Sequence, residues 1–163
     1  MRIAIISDTH MPRGERRLPE ACVARLRCAD LIIHAGDLMT PSVLRELRAL
    51  GEVVAVHGNV DDASVRRMLP LSRTIEADGA QVGLLHDGGT AHGRLQRLRR
   101  RFSTADAVVF GHSHIPLHER SADGSFQIFN PGSPTERRHA PRHTMGLAEV
   151  RAGVITFELV ELD

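Results

Sequence analysis

The chain has 163 residues, 42% apolar and 25% charged, which is globular composition at a length that can bury a core without disulfide or metal staples. Its 21 basic and 20 acidic residues leave a formal charge of +1, which excludes a nucleic-acid binder driven by bulk charge while leaving a local basic patch open. No apolar run reaches membrane-spanning length, and the apolar stretch at the start is too short for a signal peptide, so a single cytoplasmic domain over 1–163 is expected.

The first half alternates strand and helix signals. Residues 3–6 form an apolar run that reads as a strand buried on both faces. A helical pattern follows over 19–28, then a second buried strand over 31–33. Thr40 and Pro41 open the next helix as N-cap and first helical residue. Its apolar face is Val43, Leu44, Leu47 and Leu50, and Gly51 is expected to close it. A third strand covers 53–56. This β-α-β-α-β order implies parallel strands. After a short helix ending near Leu69 the style changes. Asp78-Gly79 marks a hairpin between 73–77 and 81–85. A helix over 93–102 precedes a buried strand over 107–110. Asp123-Gly124 and Ala152-Gly153 mark further turns, the latter between strands over 145–150 and 154–160. The fold expected is α/β in the broad sense (α+β), two sheets packed face to face with helices outside.

Two cysteines, Cys22 and Cys28, sit six apart on one helical stretch and so on different faces, poor partners for a disulfide or a metal. The run from Arg94 to Phe102 carries five arginines, but Leu95, Leu98 and Phe102 have helical spacing, so the arginines read as a wet face rather than a nucleic-acid contact.

Function is written at the strand ends. Asp8 and His10 follow the first strand, Asp37 the second, Asn59 the third. His86 ends the strand at 81–85, and His112 and His114 follow the one at 107–110. In open α/β sheets the C-terminal strand ends are where ligands bind, so these seven side chains are expected to converge. Two carboxylates, an amide oxygen and four imidazoles suit Mn²⁺, Fe²⁺, Co²⁺, Ni²⁺ or Zn²⁺ better than Ca²⁺ or Mg²⁺. Seven donors exceed one tetrahedral ion and suit two ions sharing a carboxylate, for which Asp37 is the candidate. Glycines at 36, 58 and 111 fit a chain that must turn sharply close to the ions. His34 reads as a core or supporting residue. His92, His118, His139 and His143 lack motif context.

These residues resemble the calcineurin-like metallophosphoesterases, and within them the small YfcE-type phosphodiesterase branch. The shared pattern is Asp8-Thr9-His10, Gly36-Asp37, Gly58-Asn59, His86 and Gly111-His112-Ser113-His114, with Asn130-Pro131-Gly132-Ser133 following. The resemblance implies a two-sheet β-sandwich flanked by helices and a centre of two ions, manganese first among the candidates. One ion would take Asp8, His10, Asp37 and His114, and the other Asp37, Asn59, His86 and His112. Catalysis would run through Asp37, His10 and His112 by way of a hydroxide bridging the ions, on a small phosphodiester. Asn59, Arg137 and Arg138 are the candidates for holding its phosphate.

One departure matters. Many family members carry His directly after the Asn, where it aids the leaving group. Here Val60 stands there, and it cannot donate a proton, so diesters with good leaving groups are expected as substrates. Asp61 and His57 are the two candidate replacements, although Asp61 also reads as the start of the helix near Asp62. The competing class is a protein-binding scaffold of the same fold, like the retromer subunit, with no turnover. A homo-oligomer is compatible with the sequence.

Overall fold

Residues 3–6 alternate their side chains between two apolar surroundings, and that alternation organises the whole molecule. Ile3 and Ile5 enter one buried cluster, which also holds Leu84, Val109, Phe129 and Val150. Ala4 and Ile6 enter another, which holds Cys22, Leu26, Val43, Leu44 and Leu47. A strand apolar on both faces must be covered on both faces. The first cluster is the space between two sheets, and the second lies between a sheet and its helices.

The structure, a computed structural model, describes all of Met1–Asp163. In chain order the elements are β1 (Arg2–Ile6), a 3₁₀ turn (Arg13–Glu15), α1 (Glu20–Arg27), β2 (Leu31–His34), α2 (Pro41–Arg48), β3 (Val53–Ala55), α3 (Ala63–Met68), β4 (Ser72–Ala77), β5 (Ala80–Leu85), α4 (Arg94–Arg101), β6 (Ala107–Val109), β7 (Leu117–Arg120), β8 (Gln127–Asn130), β9 (Thr144–Arg151) and β10 (Val154–Glu161). The strands form two five-stranded sheets, ordered β10-β9-β1-β2-β3 and β4-β5-β6-β8-β7. β1, β2 and β3 are parallel, as the β-α-β-α-β reading requires. β5, β6 and β8 are also parallel, while β4, β7, β9 and β10 pair antiparallel. Apolar residues of α1, α2 and α3 cover the outer face of the first sheet. Those of α4 cover the second, through Leu95, Leu98 and Phe102 packed on Val108 and Ile128. Each such side chain contributes about 1.5–3 kcal/mol on burial. The two-sheet sandwich expected from the sequence is present, and no helix is long and apolar enough to cross a membrane.

Local expectations fared unevenly. Thr40 sits at the N-cap of α2, but its side chain makes no capping bond and pairs instead with the Ser42 hydroxyl at 2.7 Å. Gly51 does not close α2. The helix stops at Arg48 with Ala49 as C-cap, and Gly51 is absent from the residues of positive φ, so the chain leaves without a left-handed glycine. α3 is capped by Asp62, whose carboxylate accepts from Val65 N–H. The α4 arginines are only partly a wet face. Arg94 and Arg97 fold back over the loop before the helix and donate to the carbonyls of Gly88, Gly89, Thr90 and His92. The cysteines are both unpaired, Cys22 buried and Cys28 exposed, and burial pushes the Cys22 thiol up to about 12.

Candidate metal centre

The C-terminal ends of β1, β2 and β3 in one sheet meet those of β5 and β6 in the other. The crevice therefore lies between two sheets rather than at the switch point of a single open one. Seven donors converge there. Asp8 Oδ1 is 3.4 Å from His114 Nε2 and 3.9 Å from His10 Nε2. Asp37 Oδ2 is 3.3 Å from His10 Nε2 and 3.2 Å from His86 Nε2. Asn59 Oδ1 lies 3.1 Å from His86 Nε2 and 3.0 Å from His112 Nδ1. Two compact groups result, Asp8–His10–His114 and Asp37–His86–His112. A single oxygen of Asp37 stands between them.

The backbone is held in unusual shapes to achieve this. Asp8, His10, Asp37, His112 and His114 all have φ between +46° and +69°, left-handed conformations that cost non-glycine residues about 1 kcal/mol or more each. Two glycines permit the close approach. A Cβ on Gly58 would stand 2.7 Å from Asp37 N, and one on Gly111 would stand 2.6 Å from Asp8 Oδ2. Hydrogen bonds fix the carboxylates. Asp37 Oδ1 accepts from Val60 N–H at 2.9 Å, and Asp8 Oδ2 from His112 N–H at 2.9 Å.

The outward ring nitrogens are committed elsewhere. His86 Nδ1 meets Ala35 O at 2.8 Å and His114 Nδ1 meets Glu136 O at 2.7 Å. A carbonyl can only accept, so both Nδ1 atoms carry the proton and both Nε2 lone pairs face the crevice. Three polar atoms there are buried with no hydrogen-bond partner: Asp8 Oδ1, His10 Nε2 and His114 Nε2. Unpartnered buried acceptors are costly, and a cation between them would satisfy all three. The protonation balance agrees. Burial pushes the Asp8 carboxyl up, against the pull of His86 and His114, which a bound cation would reverse. Burial would raise Asp37 too, but His10, His86 and the Val60 N–H outweigh it and hold it well below the usual carboxylate range. The donors therefore fit divalent transition ions.

His34 is a supporting residue, as read. Its Nδ1 accepts from Gly36 N–H at 3.2 Å and its Nε2 meets Thr9 Oγ1 at 3.1 Å. Burial pushes it down to about 3, so it stays neutral and braces two of the donor loops. Arg138 reaches the rim, donating to His112 O at 3.3 Å. Arg137 does not join the cluster and donates to Pro141 O. His57 is half-buried beside Gly58 O.

Two residues were missed or misread. Asp61 is buried, and its oxygens accept from Asp37 N–H, Met39 N–H and Gly58 N–H at 3.1, 2.6 and 2.7 Å. Both oxygens are spent on the backbone, so Asp61 neither starts α3 nor replaces the missing proton donor. Nothing in the local sequence of Glu136 places it beside His10, yet its Oε2 lies 3.1 Å from His10 Nδ1. The Asn130–Ser133 turn clamps these loops together. Asn130 Nδ2 donates to Gly111 O and Ser133 Oγ donates to Asp8 O.

Comparison with known proteins agrees with this architecture. Residues 1–153 match the calcineurin-like phosphoesterase superfamily domain, and the chain belongs to that superfamily. A "probable metallophosphoesterase" of Methanothermobacter thermautotrophicus is 39% identical over 140 residues, covering 85% of this chain and 80% of the relative. Among solved structures, Entamoeba histolytica Vps29 complexed with Zn²⁺ superposes with a TM-score of 0.78 at 21% identity over 100% of both chains. An archaeal phosphodiesterase superposes with a TM-score of 0.73 at 20% identity, over 98% of this chain and 100% of that one.

Protons should compete with metal here. Burial lowers the pKa of His86, but Asp37, Asp8 and the Ala35 carbonyl outweigh it and raise it above the 6.5 of a free imidazole. The raised Asp8 acts in the same direction. A proton held to higher pH must leave before an ion binds, so affinity rises with pH, about tenfold per unit for each proton displaced below the pKa. Calorimetric Mn²⁺ titrations should show tighter binding at pH 8 than at pH 6; equal affinity at both would contradict this.

Proposed function

We propose that the protein is a phosphodiesterase working with two divalent ions, Mn²⁺ first among them, one held by Asp8, His10, Asp37 and His114 and the other by Asp37, Asn59, His86 and His112. The observation that carries the reading is Asp37 Oδ2, set 3.3 and 3.2 Å from the Nε2 atoms of His10 and His86, one anionic oxygen available to both groups of donors. Ions bound in this way lower the pKa of water and neutralise charge on a phosphoryl group.

The chain's own residues supply the rest. Asn59 is exposed at the mouth, with its main-chain oxygen held by the Arg66 guanidinium at 2.5 Å. Arg138 reaches the same rim, donating to His112 O. The two guanidinium groups near the donors favour an anionic substrate. Val60 contributes only its backbone N–H, to Asp37, and the Asp61 carboxylate is occupied. Neither delivers a proton to a leaving group, which supports diesters whose leaving groups depart as stable anions. A reducing, cytoplasmic setting goes with this reading, in keeping with two unpaired cysteines.

The test compares bis(p-nitrophenyl) phosphate with p-nitrophenyl phosphate, with Mn²⁺ and with chelator. Manganese-dependent turnover that favours the diester is expected. The scaffold reading, which rests on fold likeness to Vps29, predicts no turnover of either ester with any ion.

A further inference from the structure

We infer that Glu136 is the positioning residue for one half of the centre, the half formed by Asp8, His10 and His114, and that Arg16 holds it in place. The inference rests on the two-metal reading above.

Glu136 touches both imidazoles of that half and neither of the other. Its carboxylate Oε2 lies 3.1 Å from His10 Nδ1, close but off the line of a straight hydrogen bond. Its main-chain oxygen meets His114 Nδ1 at 2.7 Å. Each contact engages the ring nitrogen facing away from the crevice, so the nitrogen that remains is Nε2. Those two Nε2 atoms are among the few buried polar atoms of the protein without a partner. In the other half the outer contacts differ. His86 Nδ1 meets Ala35 O, and His112 offers Nδ1 itself to the crevice, 3.0 Å from Asn59 Oδ1.

Glu136 is held from two sides. Ser133 Oγ accepts from its N–H at 2.9 Å while donating to Asp8 O at 2.8 Å, so the turn carrying Glu136 is tied to the loop carrying Asp8 and His10. Arg16, just past the 3₁₀ turn that follows His10, puts Nη2 3.3 Å from Glu136 Oε1. The pair is about three-quarters buried, at 25% and 24% side-chain exposure, so solvent screens it only in part. The resulting series runs guanidinium, carboxylate, imidazole, and then the crevice. A carboxylate behind a ligating imidazole fixes its tautomer and raises its basicity, and losing such a partner typically lowers metal affinity about 10–100-fold. Here that loss falls on one ion only. The Glu136 side chain serves His10, whereas His114 is held by the main chain and keeps its partner in any side-chain variant.

Calorimetric Mn²⁺ titration of the metal-free full chain tests this, alongside Co²⁺ absorption spectra that report each site's ligand field. Wild type is expected to take two ions. Glu136→Ala should weaken one of them about 10–100-fold and leave the other within about twofold, with the Co²⁺ bands of one site changed and those of the other kept. Glu136→Gln, which keeps the size and one acceptor oxygen, should show a smaller change in the same ion, and it carries the test should the alanine variant fail to fold. Arg16→Ala should act on that ion too, more weakly. Equal weakening of both ions would mark Glu136 as a merely structural residue and overturn the inference, as would unchanged binding of both. A wild-type protein that takes no ion would overturn the two-metal reading and this inference with it.

Discussion

Replacing Asp37 with asparagine should abolish turnover, by at least about 10³-fold in kcat/KM, equivalent to about 4 kcal/mol of transition-state stabilisation, in a protein that still folds. The local hydrogen bonds dictate both halves of that outcome. Val60 N–H needs an acceptor at the Oδ1 position, so the asparagine must put its oxygen there. Its amide NH₂ then occupies the Oδ2 position, 3.3 and 3.2 Å from two imidazole Nε2 atoms. An NH₂ group donates, and the two Nε2 lone pairs accept. The crevice becomes internally hydrogen-bonded, and the donors that two ions would share are consumed. Far-UV circular dichroism should match wild type, metal content should fall from two equivalents to below one, and hydrolysis of the diester should disappear. Wild-type turnover, or two ions retained, would remove Asp37 from the role of bridge.

The features legible from the sequence are those with a local cause. The apolar run of β1 specified burial on both faces, and the polar residues immediately after β1, β2, β3, β5 and β6 specified a site at those strand ends. Strand geometry carries such residues to one place whatever the loops do. The Asp78-Gly79 turn gave the β4–β5 hairpin because its turn chemistry is local as well. Gly51 misled because a glycine after a helical pattern is only a statistical stop signal, and α2 ends earlier, at Arg48 with Ala49 as C-cap. The two arginines at the start of α4 looked solvated because their acceptors are loop carbonyls, which sequence periodicity does not register.

The supporting layer of the site was illegible for a different reason. Glu136 reaches His10 across 126 positions and Asp61 reaches Asp37 across 24, and neither distance corresponds to a helical or strand repeat. A buried carboxylate whose partners are backbone N–H groups leaves no signature in its partners' side chains. What could have been noticed is the acidic pair Asp61-Asp62 beside Gly58-Asn59. One carboxylate is enough to cap α3, which leaves the other without a local task.

That remaining carboxylate supports the second large prediction. Asp61→Ala leaves the N–H groups of Asp37, Met39 and Gly58 without an acceptor. The Asp37 and Gly58 donors are buried and the Met39 donor partly so; each unsatisfied buried donor costs about 1–3 kcal/mol, so the variant should lose about 2–6 kcal/mol and melt about 4 °C or more below wild type, given about 2–4 °C per kcal/mol at this size. Asp61→Asn should fall between, because its amide keeps one acceptor oxygen and turns a donor toward at least one of the same N–H groups. The tie and the proton donor that the sequence suggested for Asp61 separate here by the quantity that changes. A proton donor to the leaving group could be removed without loss of stability, and its removal would slow diesters with poor leaving groups more than those with good ones. A tie between the Asp37 and Asn59 loops does the reverse: it lowers the melting temperature of the metal-free protein, and whatever folded protein remains is impaired equally toward both classes of ester. Thermal melts of the metal-free variants, followed by kcat/KM for a nitrophenyl and an alkyl diester, decide between them. An Asp61→Ala protein melting within about 1 °C of wild type would show that the three N–H groups find other acceptors and that the Val60 N–H bond to Asp37 and the Asp62 N–H bond to Met39 O suffice to tie the two loops.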